Sequence, residues 1–316
     1  MQSTVVILGT GGTIAAAGGD VGYAAGQLSV AQLLAAVPAL SAWPLEAEQV
    51  AQLDSKDMSH EVWQRLAQRV VHHLARPEVA GVVVTHGTDT LEETAYFLQR
   101  VLAPAKPVVL TAAMRPATSL QADGPQNLLD AVAVAAHPGA RGVVAVLQGR
   151  VHGPVDVRKR EPFALDAFDS GEAGPVALVQ DQGLRVLRPW PATPSVGTQA
   201  LERAVADWPR VGVVASHAGV DGVAVRAMVA AGYQGLVLEG TGNGTVHAAL
   251  VDAAAEARAA GRVVWRSTRC AGGGVVGQPA GELPSAGVLT PARARIELML
   301  RLMAGEQGEP IAPSAG

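Results

Sequence analysis

Short apolar runs rich in β-branched residues alternate with longer amphipathic segments along most of the chain. The clearest runs are Thr4–Leu8, Gly81–Thr85, Pro107–Thr111 and Gly142–Leu147. Such near-continuous apolar runs are typical of strands buried on both faces of a parallel sheet. Start signals at Ser29, Thr90 and Asp123 precede three predicted helices, Val30–Val37, Leu91–Leu102 and Gln126–Ala136. The alternation predicts an α/β fold with a doubly wound, mostly parallel sheet.

A proline-rich stretch with little periodicity interrupts this pattern between Asp181 and Pro209. The β/α alternation then restarts and ends in a predicted helix, Pro291–Met303, with Thr290 at its N-cap. We therefore predict a larger N-terminal domain (residues 1–185), a linker (186–209) and a smaller α/β C-terminal domain (210–316).

Composition excludes several classes of function. The net charge is -4 and the isoelectric point about 6.1, so no basic surface indicates nucleic acid or an anionic membrane as a partner. The single cysteine, Cys270, excludes an intrachain disulfide and a cysteine-rich zinc site. Charged residues make up only 16% of the 316 residues and hydrophobic ones 49%, which favours burial of part of the surface against other subunits.

The location of the protein is predicted from its apolar segments. Each run is far shorter than the roughly 18–20 residues that a membrane-spanning helix needs. The start, Met1–Thr4, lacks basic residues, and Val5–Leu8 is too short for the core of a signal peptide. We expect a cytoplasmic protein, unless a leader has been removed.

Polar residues collect where the predicted strands end. The four segments are Gly9–Thr13, Leu53–Met58, Thr85–Thr90 and Thr111–Arg115. Ligands of open α/β sheets bind beyond the carboxyl ends of the strands. We expect these four ends to meet at one crevice.

Two interpretations of the first glycine segment remain open at this point. A dinucleotide-binding loop would make the chain an NAD-dependent oxidoreductase, but Ile14 stands where the third glycine belongs. A tight turn is the simpler interpretation. A non-catalytic amino-acid-binding protein is a further alternative. No metalloprotease motif is present, and His72 and His73 are predicted on a solvated helix face.

The adjacent Thr88 and Asp89 suit a polar site, although Asp89 or Thr90 could simply cap the next helix. A threonine hydroxyl is a weak nucleophile and needs a base within hydrogen-bond distance. His86 is one candidate, or it is a packed core residue. Lys159 would serve if burial kept it neutral, but it lies in a run of charges of the kind usually found on a solvated face.

Six motifs, in order along nearly the whole chain, give it a resemblance to the bacterial L-asparaginase/glutaminase family, and more closely to its type II branch. They are Thr10–Ile14, Asp54–Met58, Thr85–Leu98, Ala113–Pro116, Ala122–Pro125 and Gly240–Gly244. The resemblance implies hydrolysis of L-asparagine to L-aspartate and ammonia, with weaker activity on L-glutamine, and no metal or cofactor. It also implies a homotetramer made of two dimers, with each site completed by a neighbour's C-terminal domain.

The resemblance assigns roles to individual residues. Thr13 is similar to the nucleophile that forms the acyl-enzyme, and Tyr23 to the tyrosine that assists it. Thr88, Asp89 and Lys159 resemble a second polar triad, in which Lys159 is held near neutral. Further residues are implied in substrate binding: Gly12, Ser55, Lys56, Asp89, Ala113, Thr245 and Glu282.

The chain departs from the family pattern at three of these positions. Lys56 stands where many members carry glutamine, and Thr245 where they carry asparagine. The segment Cys270–Ser285 is shorter than in the family, and Glu282 is the only glutamate in it. We expect these changes to affect substrate affinity and the choice between the two amides more than the hydrolysis itself.

Overall fold

The computed structural model describes residues 3–16, 28–181, 183–277 and 282–306. The chain divides into two units, Met1–Leu201 and Glu202–Gly316, and each unit has its own parallel β-sheet. The predicted α/β fold, with a larger N-terminal and a smaller C-terminal domain, is confirmed. The finer limits at residues 185, 186–209 and 210 stay predictions.

The first unit contains an eight-stranded sheet and a separate two-stranded hairpin. The strands are β1 (Thr4–Gly11), β2 (Leu45–Leu53), β3 (Val79–Thr85), β4 (Val108–Thr111), β5 (Val143–Leu147), β6 (Arg150–His152), β7 (Arg158–Lys159), β8 (Phe168–Asp169), β9 (Ala177–Gln180) and β10 (Gly183–Val186). The large sheet has the order β10-β9-β6-β5-β4-β3-β1-β2, and β7 pairs with β8. Strands β1 to β5 are parallel to one another, and β6, β9 and β10 extend the sheet in antiparallel pairing.

Helices cover both faces of this sheet, which explains why its strands are apolar without alternation. The helices are α1 (Val30–Ala35), α2 (His60–Leu74), α3 (Leu91–Leu102) and α4 (Gly124–Ala135). Val30 of α1 and Leu128 of α4 share a core cluster with Ile7 of β1. Helices α2 and α3 contact each other through the stacked rings of Trp63 and Phe97, whose centres are 4.8 Å apart.

The predicted starts of α1 and α3 are both confirmed, but only Ser29 caps its helix with its side chain. Ser29 and Gln32 form a complete capping box at α1. Helix α3 does follow Thr90, but the Thr90 side chain makes no capping bond. Its hydroxyl instead donates a hydrogen bond to the backbone oxygen of Ser55 at 2.8 Å. A tertiary partner has replaced the local one.

The same replacement occurs at α4, where Asp123 is the N-cap residue without a capping bond from its side chain. The buried carboxylate instead accepts hydrogen bonds from the backbone N–H groups of Met114 and Arg115, at 3.0 and 2.9 Å, and from the side-chain amide of Asn127 at 3.0 Å. Asp123 therefore fixes the segment that follows β4.

The prediction that His73 lies on a solvated face of a helix is wrong. The helix, α2, is present, but the His73 side chain is only 8% exposed and its Nε2 lies 2.8 Å from Glu48 Oε2. The same carboxylate receives two hydrogen bonds from Arg69. The histidine is part of a polar network between α2 and β2.

The second unit is a three-stranded parallel sheet with helices. Its elements are β11 (Val211–Ala215), α5 (Val223–Ala230), β12 (Gly235–Gly240), α6 (Ala248–Ala259), β13 (Val263–Thr268) and α7 (Pro291–Met303). Thr290 caps α7 as predicted, since its side chain accepts a hydrogen bond from the Arg293 N–H. Leu236, Leu250 and Val264 belong to the core of this unit.

Candidate active site

The strand order β2-β1-β3-β4-β5 changes direction between β1 and β3, and a crevice for ligands opens at such a switch point. The register aligns Gly9 with Thr85, and Thr85 with Thr111. Gly11 pairs with Leu53 on the other side. The structure thus brings the four polar strand ends side by side at one edge of the sheet.

Two glycines allow the turns that carry the two candidate threonines to touch. A Cβ atom on Gly12, which has a φ of +83°, would lie 2.4 Å from the Cα atom of Gly87. A Cβ atom on Gly87 would lie 2.5 Å from Ser55 Oγ. Thr13 and Thr88 directly follow these glycines and are only 7% and 6% exposed. Glycine is needed at both positions for space, and at Gly12 also for backbone conformation.

Thr88, Asp89 and Lys159 are in direct contact. Lys159 Nζ donates hydrogen bonds to Thr88 Oγ1 at 2.8 Å and to Asp89 Oδ1 at 2.6 Å. The Lys159 side chain is 18% exposed and that of Asp89 is 50% exposed. Lys159 therefore does not lie on a solvated face, although the charged residues around it in the sequence suggested one.

Ser55 joins the segment after β2 to the turn after β3. It is 1% exposed, and its Oγ accepts a hydrogen bond from the Asp89 N–H at 3.2 Å. The neighbouring Lys56 is exposed and is bound by its own segment, with its Nζ 2.5 Å from Asp57 and 3.6 Å from Asp54. The hydrogen bond with Asp57 is the main reason why the pKa of Lys56 is raised.

Ala113, two residues after the end of β4, is buried. The Asp123 carboxylate holds the two peptide N–H groups that follow it. A Cβ atom on Gly124 would lie 3.3 Å from the Ala113 Cβ and 3.0 Å from the Ile14 side chain. Ala113 thus lies where the segments after β1 and β4 approach each other.

His86 is a packed residue whose hydrogen bonds fix its tautomer. Trp63 Nε1 can only donate, and it donates to Thr94 Oγ1 at 2.8 Å. His86 Nδ1 donates to the Gly87 backbone oxygen at 2.7 Å, because a carbonyl can only accept. In the neutral ring Nε2 is then the acceptor, and the Thr94 hydroxyl donates to it at 3.0 Å. Complete burial lowers the pKa of His86 to about 4. A neutral, fully bonded imidazole of this kind supports the Gly87 turn and is unsuited to act as a base.

Two of the predicted residues, Thr245 and Glu282, belong to the second unit. Thr245 closes a tight turn with Thr241, with backbone hydrogen bonds of 2.8 Å in both directions and a contact of 2.9 Å between the two hydroxyls. Glu282 Oε2 lies 2.8 Å from Nη2 of the buried Arg266. The remaining one, Tyr23, lies outside the described residues, as does most of the segment before it.

Some supporting residues were not predicted from the sequence. The contacts of His86 with Thr94 and of Asp123 with the segment after β4 join residues eight and nine positions apart, although His86 and Asp123 lie inside the motifs that carry the resemblance. Glu92 accepts a hydrogen bond from the Lys159 N–H at 3.2 Å. In the sequence, Glu92 indicates only the start of helix α3, and its contact with Lys159 could not be predicted.

Among the residues that the structure describes, no three His, Cys, Asp or Glu side chains lie close enough together to hold one metal ion. The helices within the described ranges are all too short or too polar to span a membrane.

Two family models match the chain. The model described as "Asparaginase, N-terminal" matches residues 4–192, and "Glutaminase/Asparaginase C-terminal domain" matches residues 210–312. A crystal structure titled as a probable cytoplasmic L-asparaginase from Campylobacter jejuni superposes with a TM-score of 0.88 at 35% identity, covering 95% of each chain.

Relatives of similar length agree with this match. A probable periplasmic L-asparaginase of Haemophilus influenzae is 37% identical, and L-asparaginase 2 of Escherichia coli is 36% identical; each match covers 94% of this chain and 88% of the relative. A glutaminase-asparaginase of Pseudomonas fluorescens is 36% identical, over 95% of this chain and 86% of the relative. The chain therefore belongs to the asparaginase family and is an amide-hydrolysing enzyme of that family.

Proposed function

We propose that the protein hydrolyses L-asparagine to L-aspartate and ammonia through an acyl-enzyme on Thr13. The contact of Lys159 with Thr88 and Asp89 carries this proposal. Thr88 follows Gly87, and the Gly87 turn touches the Gly12 turn that precedes Thr13. The names of the relatives, L-asparaginases and a glutaminase-asparaginase, support the substrate class.

In the proposed reaction, the Thr13 hydroxyl attacks the carboxamide carbon of the substrate, with Tyr23 assisting the removal of its proton. Backbone N–H groups of the Thr88 turn stabilise the developing oxyanion. The carbon–nitrogen bond breaks, and the nitrogen takes a proton and leaves as ammonia. A water molecule then adds to the ester carbon, and Thr13 is released with its proton restored.

The α-groups of the substrate need opposite partners. We assign the α-ammonium to the half-exposed carboxylate of Asp89, and the α-carboxylate to Ser55 and nearby backbone N–H groups. Gly12 and Ala113 provide close backbone approach at the same edge, and Lys56, Thr245 and Glu282 remain proposed binding residues.

Lys159 is proposed as the proton acceptor that acts through Thr88. It can accept a proton only as the neutral amine, and its amine contacts the Asp89 carboxylate. We propose that a substrate ammonium bound at Asp89 draws this carboxylate away from the lysine.

The direct test is release of ammonia from asparagine by the purified protein, compared with Thr13→Ala and Thr13→Ser. Thr13→Ala should lose several powers of ten in kcat, as expected when a nucleophile is removed, while its circular dichroism and Tm stay those of the wild type. Thr13→Ser keeps a hydroxyl and should retain measurable activity. A Thr13→Ala variant with more than about a tenth of the wild-type kcat would contradict the role of Thr13.

Glutamine is proposed as the poorer substrate. Thr13, Ser55 and Asp89 fix both ends of the substrate, so the additional methylene of glutamine must be accommodated elsewhere. A methylene changes binding by about 1–3 kcal/mol, which predicts a preference of roughly 10- to 200-fold in kcat/KM. Equal kcat/KM values for the two amides, measured on one preparation, would show that these three side chains do not determine the length of substrate that the site accepts.

We also propose a cytoplasmic homotetramer made of two dimers. The Campylobacter jejuni protein is described as cytoplasmic, whereas the Haemophilus influenzae relative is described as periplasmic. Fractionation of the source cells decides the compartment: activity released by osmotic shock would contradict a cytoplasmic location.

A further inference from the structure

Lys159 reaches the candidate site from a pair of very short strands. It lies in β7, which pairs with β8 in a sheet of two strands, and each strand is two residues long. An isolated two-stranded hairpin is marginally stable by itself, and a lysine side chain is a flexible four-carbon stem. The position of the amine beside Thr88 therefore depends on the contacts that hold the hairpin.

Arg115 contacts the connection between β7 and β8. Its Nη1 donates a hydrogen bond to the backbone oxygen of Phe163 at 2.7 Å, and its guanidinium carbon lies 4.0 Å from the centre of the Phe163 ring. Arg115 is 7% exposed and Phe163 is 55% exposed. One residue of the connection thus receives both a charge-assisted hydrogen bond and a cation–π contact.

Arg115 is itself fixed to the large sheet. Its N–H donates to Asp123 Oδ1 at 2.9 Å, and the same carboxylate accepts hydrogen bonds from the Met114 N–H and the Asn127 amide. These residues lie between the end of β4 and the first turns of α4. The guanidinium therefore extends from a rigid edge of the sheet.

The β7 strand has its own attachment, since the Lys159 N–H donates to Glu92 at 3.2 Å. The Glu92 contact lies on β7 and the Arg115 contact on the β7–β8 connection, while β8 is held by its buried residue Phe168. We propose that Arg115 and Phe163 form a clamp that positions Lys159, acting through the hairpin and without touching substrate. This inference rests on the role of Lys159 in the proposed function.

Substitutions of Phe163 test the clamp without removing a buried charge. Phe163→Ala should lower kcat by about threefold to tenfold, because the cation–π contact of a partly exposed ring is lost, while KM changes by less than about twofold. Phe163→Tyr keeps the ring and should restore kcat. Leu120→Ala also removes a large exposed apolar side chain of the first unit, in this case a fully exposed one, and serves as the matched control with wild-type kcat. A wild-type kcat for Phe163→Ala, or no rescue by Phe163→Tyr, would overturn the proposal.

A double-mutant cycle separates positioning of Lys159 from a general structural role. If the clamp acts through Lys159, Phe163→Ala should cause no further loss of kcat in a Lys159→Met background. The same fold loss in both backgrounds would overturn the proposal. A wild-type kcat for Lys159→Met would instead contradict the proposed function, and the clamp inference would fall with it.

Amide hydrogen exchange gives a readout independent of the substrate. The Arg160 N–H donates to the Ala167 backbone oxygen at 2.8 Å and so reports on the closed hairpin. Phe163→Ala should speed the exchange of this amide, and Leu120→Ala should leave it unchanged. Unchanged exchange in Phe163→Ala would overturn the clamp even if asparagine proves not to be the substrate.

Discussion

Glycines at positions 12 and 87 let two chain turns meet where a side chain would keep them apart. Gly12→Ala adds a Cβ atom 2.4 Å from the Cα of Gly87 at a φ of +83°. Gly171→Ala is a matched control, because Gly171 has a φ of +50° and nothing within 4 Å of its added Cβ atom.

We predict that Gly171→Ala lowers the free energy of unfolding by about 1–2 kcal/mol, the cost of the left-handed conformation alone. Gly12→Ala should lower it by at least about 3 kcal/mol, since backbone must also move, and should abolish activity. Urea denaturation of both variants measures the difference. Equal losses for the two variants would contradict the packing argument.

Lys159 offers a second prediction at the scale of one residue. Lys159→Met should lower kcat by roughly 10²–10⁴-fold, the usual contribution of a general acid or base, and should change KM much less. Lys106→Met is the control, because the Lys106 amine donates to the backbone oxygen of Arg76, outside the candidate site. Steady-state kinetics with asparagine decide the matter, and a loss confined to KM would assign Lys159 to binding instead.

Two buried histidines of the first unit make stability depend on pH. Burial lowers the pKa values of His86, after β3, and His152, in β6, to about 4. Both histidines bind protons in the unfolded chain below about pH 6.5, whereas in the folded chain they do so only near pH 4. The unfolded state therefore binds more protons between these values, so stability falls as the pH is lowered.

We predict that the free energy of unfolding falls by about 2 kcal/mol for each histidine between pH 7.5 and pH 5. Denaturant titrations at the two pH values measure the change, and the double variant His86→Gln/His152→Gln should flatten it. His217→Gln, which changes an exposed histidine, should leave the pH dependence as it is. An equally steep pH dependence in the double variant would contradict the assignment.

The elements that were predicted well are those whose signal is local. The apolar strands β1, β3, β4 and β5 were placed within three residues at either end, because burial on both faces produces a continuous pattern. The short antiparallel strands β6 to β10 were not predicted, since two to four residues carry too little periodicity. The side-chain caps at Thr90 and Asp123 failed because the partners of those side chains, Ser55 and the segment after β4, are distant in sequence.

The candidate site divides in the same way. The resemblance supplied Thr13, Thr88, Asp89 and Lys159, and the strand ends indicated that the first three meet. The charged residues around Lys159 suggested a solvated face. Nothing in the local sequence shows that the chain after β6 comes back to Thr88 and Asp89. The support from His86 depends on hydrogen bonds to α2 and α3 that sequence spacing does not reveal.

The whole molecule combines few charges with uncovered apolar side chains. Charged residues make up 16% of the chain, and large apolar side chains such as Leu120, Val223 and Val276 are more than half exposed. Large exposed apolar patches mark interfaces, whereas single exposed side chains do not. We predict that light scattering gives about four times the chain mass of 32.3 kDa and that dilution does not produce an active monomer. An active particle of 32.3 kDa would refute the assembly.

The resemblance further implies that the second unit of one chain completes the site of its neighbour, and hybrid assemblies can test this implication. One variant, Thr13→Ala, lacks the proposed nucleophile. The other, Thr245→Ala/Glu282→Ala, keeps Thr13 and changes the proposed contribution of the second unit. Each variant alone should have low activity, the first because its kcat is lowered and the second because its KM is raised.

Unfolding and refolding the two variants together in equal amounts should restore activity. In a two-fold symmetric pair, one of the two sites then combines an intact Thr13 from one chain with an intact second unit from the other. Random pairing gives half mixed dimers with one intact site each, so about a quarter of the wild-type kcat should return with the wild-type KM. Mixing the variants after each has refolded alone is the control and should restore nothing if the interface is obligate. If the co-refolded mixture has only the average activity of its two components, each site is built from a single chain.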